Sequence, residues 1–193
     1  MANEAEKTLH EMQQVLTIDA NGVYETEEDK AELLWHELQN AYRSKRILSG
    51  VLSGVEETSS GSIAVVYYKG QRMIIPVSEM ELNLSEQNGY GEMKGRQVRI
   101  LNNMVGCEID FILIALDDTA RSVVASRRLA MLAKRRKFYF LNENGSVQIT
   151  EGRVVQARVI AVAEKVVRLE VFGAECAVPA RDIAWEWVGD ARR

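Results

Sequence analysis

The chain has 193 residues, 47% of them apolar and 27% charged, with a formal net charge of −4. That is enough material to bury the core of one or two small domains. No apolar run approaches the roughly 20 residues that span a bilayer, and the acidic balance excludes indiscriminate nucleic-acid binding, whose affinity comes from neutralised phosphates. The start, MANEAEKTLHEMQQ, has no apolar signal-peptide core, so a cytoplasmic protein is expected. Cys107 and Cys176 have no His or Cys partner at metal-ligand spacing and read as reduced, buried thiols, with neither a disulfide nor a zinc site expected.

Residues 1 to about 20 are polar and irregular, and Asn21-Gly22 reads as a turn. Thr26 with Asp29 approximates a capping box, and Leu34, Leu38, Ala41 and Tyr42 recur on one face, which predicts an amphipathic helix over 27–43. From Lys45 the period becomes that of strands. Residues 47–56, 62–69 and 71–77 are β candidates, the last two joined by a tight turn at Lys69-Gly70. Residues 82–95 read as a polar, glycine-containing connection, and 98–102 fit a short strand or a helical turn equally well. EIDFILIAL at 108–116 is a strand, turned by Asp117-Asp118-Thr119-Ala120 into a second at 121–125. Ser126 caps a short basic helix running to about Lys137, and Asn144-Gly145 is a turn. Three more strands follow at 154–163, 166–172 and 175–178.

The chain's only two prolines mark an internal repeat. MIIPVSEM around Pro76 and CAVPARDI around Pro179 share an apolar run, Pro, two residues, an acid and an apolar side chain. Upstream, ILSGVLSGVEE from Ile47 matches VVQARVIAVAE from Val154, so the repeating unit is strand, loop and strand. With Gly50 set against Ala157, the run to the proline is 26 residues in the first copy and 22 in the second. The difference is placed in one longer turn at EETSSGS, residues 56–62.

Four elements of the first copy stand in a telling order: Gly50-Val51 in the first strand, Val77-Ser78-Glu79-Met80 after the third, Val105-Gly106 before EIDFILIALDD, and Val123-Val124-Ala125-Ser126-Arg127-Arg128 at the fifth. In this order they resemble a ribosomal protein S-one domain, the five-stranded RNA-binding barrel of OB-fold type, over residues 44–128. The second copy resembles the first half of that domain only, ending with Arg181-Asp182-Ile183-Ala184-Trp185. The resemblance implies an α+β, mainly β protein: a polar segment and helix over 1–43, an OB-fold barrel over 44–128, a basic bridging helix over 129–145, and a partial OB-like β unit over 146–193. Its RNA-binding members carry a base-stacking aromatic in the second strand and a His in the third. Here the corresponding stretch of the second strand reads Gly61-Ser62-Ile63-Ala64, and Pro76 occupies the His position.

Two clusters are candidates for RNA contact. Tyr67, Tyr68, Lys69 and Arg72 crowd the hairpin of the second and third strands. Exposed rings interleaved with cations could serve as a platform there, although alternation sends the two rings to opposite faces and one into the core. Arg127, Arg128, Lys134, Arg135, Arg136 and Lys137 form the dense basic segment of an acidic chain, suited to several phosphates or to a solvated helix end. Arg153, Arg158, Lys165 and Arg168 are scattered along strands and read as ordinary surface. His10 and His36 pair with no nucleophile, Asp117-Asp118 is a turn, and no phosphate loop or nucleophile elbow is present, so no enzyme, cofactor or metal is expected. Trp35, Trp185 and Trp187 are expected in a core or an interface. The expected function is single-stranded RNA binding through the basic segment and the face of the second and third strands. The alternative is a protein-interaction or self-association module that kept the barrel, with homodimerisation or docking through the incomplete second unit. No membrane partner is expected.

Overall fold

The computed structural model describes residues 26–59, 61–82, 90–141, 143–185 and 190–192, with backbone alone at 90–94. The turn at Asn21-Gly22, His10 and Trp187 lie outside the described residues. The chain divides into two compact units, Met1–His36 and Glu37–Arg193.

In the first unit the capping box forms as the sequence predicts. The Thr26 amide donates to Asp29 Oδ2 at 3.0 Å, and the Asp29 amide donates to Thr26 Oγ1 at 3.1 Å, satisfying two otherwise orphaned donors of α1 (Glu27–Ser44). Glu27, Glu28 and Asp29 in its first turn complement the positive end of the helix dipole.

The second unit takes up α1 from Glu37 and then builds a closed ring. Its strands are β1 (Leu48–Thr58), β2 (Gly61–Tyr68), β3 (Gln71–Pro76), β4 (Glu108–Asp117) and β5 (Ser122–Ser126), in ring order β1-β2-β3-β5-β4. Every neighbouring pair is antiparallel except β3 with β5, a parallel contact at Ile74 and Val124. The alternation in the sequence aims Leu52, Ala64, Val66, Met73, Ile75, Ile109, Phe111 and Leu113 inward, and all are fully enclosed. Gly50 is required where β1 crosses this core. A Cβ there would lie 2.6 Å from the Tyr67 carbonyl oxygen and 2.9 Å from Val66 Cγ1.

Between β3 and β4 the structure corrects the sequence reading. Residues 82–95 were expected as a connection throughout, yet the backbone is helical over α2 (Tyr90–Met104), which also decides the open choice at 98–102. Gly91 and Gly95 hide the pattern by lowering helix propensity. Tertiary burial of Leu101 and Met104 on one face supplies what propensity lacks.

After α3 (Arg127–Tyr139) come β6 (Arg158–Ala163), β7 (Val166–Val171) and β8 (Ala174–Pro179), a three-stranded antiparallel sheet. It repeats β1-β2-β3 pair for pair. The β1 bulge between Leu52 and Gly54 recurs between Val159 and Ala161, and Ile63 opposite Pro76 recurs as Val166 opposite Pro179. Each proline ends its strand and leads into a 3₁₀ turn, Val77–Glu79 in one copy and Ala180–Asp182 in the other. The positive φ angles of Lys69 and Gly70 return at Phe172 and Gly173. The four extra residues of the first copy form two added pairs, Glu57 with Ser62 and Thr58 with Gly61.

β6 starts at Arg158, four residues later than the strand expected at 154–163. The reason is the missing partner. In the first copy Leu48 to Val51 are held by β4, whereas among the described residues no fourth strand lies beside the matching residues of the second copy, and Val154 is almost fully exposed.

Candidate nucleic-acid interface

The basic segment folds into α3, whose first turn is capped by Ser126 Oγ accepting from the Leu129 amide at 3.1 Å. Ser126 also donates to Glu79, and Arg128 pairs with the same carboxylate at 2.9 Å, so Glu79 is held below its usual range by Arg128 and Ser126. Arg127 points inward and is completely enclosed. Its Nη1 donates to the Met80 carbonyl at 2.9 Å, and its Nη2 lies 2.7 Å from Glu175 Oε1 and 4.0 Å from Glu170 Oε2. The Nη2 contact with Glu175 lacks hydrogen-bond alignment, so it holds by charge alone.

Two turns further along α3, Lys134 reaches both Asp110 of β4 and Glu170 of β7. Arg158 of β6 donates to Asp110 at 2.8 Å, and Ser49 donates to the same carboxylate at 2.6 Å. Arg135 donates to the Gly173 carbonyl at 2.8 Å and to Glu81 at 2.6 Å, Tyr139 donates to the Val171 carbonyl at 2.8 Å, and the Phe138 and Phe172 rings stack with centroids 4.3 Å apart. The inner side of the basic segment therefore fastens the second sheet to the barrel. Arg127, Lys134 and Arg135 spend their charge on carboxylates there, leaving Arg136 and Lys137 on the exposed side.

Burial pushes the Asp110 carboxyl up, but the hydrogen bonds from Lys134, Ser49 and Arg158 outweigh it and hold the group below its ordinary value. A depressed carboxyl contributes stability that is full above its unfolded value and is lost as pH falls through the folded one. The denaturant midpoint is therefore expected to fall more steeply for the wild type than for Asp110→Asn below about pH 4. Parallel curves in urea titrations would remove Asp110 from this linkage.

On the β2–β3 hairpin, Tyr67 is exposed and Tyr68 half-buried, as alternation requires. The cations expected there are also occupied. Lys69 pairs with Glu37 at 2.7 Å and Arg72 with Glu56 at 2.7 Å, while Tyr68 donates to Glu37 at 2.8 Å. Burial, with Glu37, raises the Tyr68 hydroxyl, and the Lys69 hydrogen bond holds Glu37 low. Ile63 and Pro76 face each other directly across the two strands.

The structure also forms a site that the sequence reading missed. Arg96, Arg99, Ile100 and Asn103 share one face of α2 at spacings of three and four, and this face looks onto Ala161, Ala163, Val166 and Arg168 of β6 and β7. Between them is an open groove of about 520 Å³. The signal was the spacing of Arg96 and Arg99, legible only once residues 90–104 are known to be helical. Arg168, which read as scattered surface, stands on the groove wall and shares Glu175 at 3.3 Å.

Trp35 is buried and Trp185 fully exposed, and of the two cysteines expected to be buried, Cys107 is half-buried and Cys176, on the outermost strand β8, is exposed. Among the described residues no cluster of His, Cys, Asp and Glu is arranged to hold a metal ion, and no helix is long and apolar enough to cross a membrane. No protein-family model matches the chain, and no curated protein matches it.

Proposed function

We propose that this protein binds single-stranded RNA as an OB-type barrel of the S-one kind carrying a second, partial copy. The observation that carries the reading is the corner where the separate elements of the resemblance meet. Glu79 of the Val-Ser-Glu-Met element accepts from Ser126 and Arg128 of the Ser-Arg-Arg element, and Arg127 donates to the Met80 carbonyl. Gly106, at φ +90°, donates to the Leu52 carbonyl at 2.7 Å, tying the Val-Gly element to β1. The ring order β1-β2-β3-β5-β4 with one parallel closure is compatible with the OB topology, an architecture that commonly presents a strand face and adjoining loops to oligonucleotides. Since most cations of the two predicted clusters are paired internally, affinity in this reading rests on the exposed Arg96, Arg99, Arg136 and Lys137.

A second reading, protein interaction, is favoured by a specific feature of the second sheet. Val159 and Ile183 are each 49% exposed, whereas their counterparts in the barrel, Leu52 and Met80, are fully buried. A core face without its closing strands is suited to covering by another protein surface. One titration separates the readings: a fluorescent mixed single-stranded RNA pool, followed by polarisation at low and high salt. Saturable binding that weakens as salt rises is expected. No binding at low salt, together with a mass that grows with concentration in light scattering, would replace the RNA reading with the interaction one.

A further inference from the structure

We infer that the groove between α2 and the β6–β7 face is where the RNA strand is held, with Arg96 and Arg99 taking phosphates and the apolar floor receiving a base. The inference rests on the RNA reading and adds to it a place and a division of labour. Charge narrows the choice to a few surfaces, and in the groove exposed cations border an apolar floor. Lys69, Arg72, Arg128, Lys134 and Arg135 all have carboxylates within ion-pair distance. Arg96 and Arg99 are exposed and have no carboxylate partner among the described residues.

Their positions, three residues apart on α2, put both guanidinium groups along one edge of the groove. Each can donate two N–H bonds to phosphate oxygens, which a lysine ammonium, acting as a point charge, does not reproduce. Arg168 stands on the opposite wall, partly engaged by Glu175.

The floor supplies the second half of the recognition. Ala161 is opposite Arg168 and Ala163 opposite Val166 in the β6–β7 register, so two small side chains leave open the space that larger ones would fill. Ile100 and Val166 present apolar surface against which a base face can lie, and the Asn103 amide beside them offers both a donor and an acceptor to a base edge. A volume of about 520 Å³ falls within the range of small-ligand sites and suits one or two nucleotides of a strand whose backbone continues through the open ends. Apolar floor and cationic edge together match a nucleotide better than a bare anion, which would have no use for the floor.

The test compares three variants with the wild type, titrating a short fluorescent single-stranded RNA over a series of salt concentrations. Arg96→Ala with Arg99→Ala is expected to weaken binding at least tenfold at low salt. It should also make the salt dependence shallower by about 1.4 in log K against log salt, two contacts at about 0.7 each. Ala163→Trp, which fills the floor and leaves every charge in place, is expected to weaken binding with the salt slope unchanged. Arg136→Ala with Lys137→Ala, outside the groove, is expected to weaken binding by a smaller factor than the α2 double variant does. Thermal melts verify that each variant is folded, and both α2 positions are exposed and tolerate truncation. Wild-type binding that survives the α2 double variant with affinity and slope intact would overturn the groove and leave the RNA reading standing. A wild type that binds no RNA would overturn the RNA reading itself.

Discussion

Arg127→Met is expected to cost about 3–5 kcal/mol of stability, the range for removing one partner of a buried ion pair. The side chain is completely enclosed, and the carboxylates it faces, Glu170 and Glu175, are 1% and 7% exposed. Methionine fills much of the same volume but leaves those carboxylates short of a cation. Lys134 and Arg158 still reach Glu170, whereas among the described residues Glu175 keeps Arg168 alone, at 3.3 Å, so the damage falls mainly on Glu175. Adding Glu175→Gln to Arg127→Met should therefore recover part of the loss, because an amide costs far less than a carboxylate to hold without a cation. Urea unfolding measures both variants. A loss below about 1 kcal/mol for Arg127→Met would mean that water reaches the cluster and that its charges are no more costly than a surface pair.

This cluster also shows where the sequence was legible and where it was not. Strand alternation, the capping box at Thr26, the turn at Lys69-Gly70 and the proline repeat are local patterns, and each is present in the structure at or within a few residues of its predicted place. The pairing of β3 with β5 is a single parallel contact between distant segments, announced by no local pattern. The roles of the cations were hidden for the same reason. Arg127 and Arg128 are adjacent in sequence, yet one is enclosed by Glu170 and Glu175, more than forty residues away, while the other lies half-exposed against Glu79. Charge density along a chain records how many cations there are but not which carboxylates the fold brings to them. Arg96 and Arg99 illustrate the converse, since two isolated arginines in a glycine-containing stretch become neighbours once burial of Leu101 and Met104 makes that stretch a helix.

Gly173→Ala is also expected to be strongly damaging, and its repeat mate supplies the control. Gly173 occupies the β7–β8 turn at φ +95°, and Gly70 occupies the matching β2–β3 turn at φ +85°. Both substitutions place an alanine in a region that disfavours side chains, at about 1–2 kcal/mol. Only Gly173 meets a neighbour. A Cβ there would lie 2.4 Å from the Met131 carbonyl oxygen and 2.9 Å from Lys134 Cβ, whereas nothing lies within 4 Å of the corresponding position at Gly70. Relieving that overlap means backing the turn away from α3, which stretches the Arg135 bond to the Gly173 carbonyl and separates Phe138 from Phe172. Overpacking of this kind adds about 1–3 kcal/mol, so Gly173→Ala should lose about 3 kcal/mol or more and Gly70→Ala about half of that. Hydrogen exchange should locate the extra loss in β6, β7 and β8 while the barrel stays protected. Since β6 and β7 form one wall of the α2 groove, Gly173→Ala should also weaken RNA binding without removing a cation. Equal destabilisation by the two glycine variants would show that the turn does not bear on α3 and that the second sheet is held by the charge cluster alone.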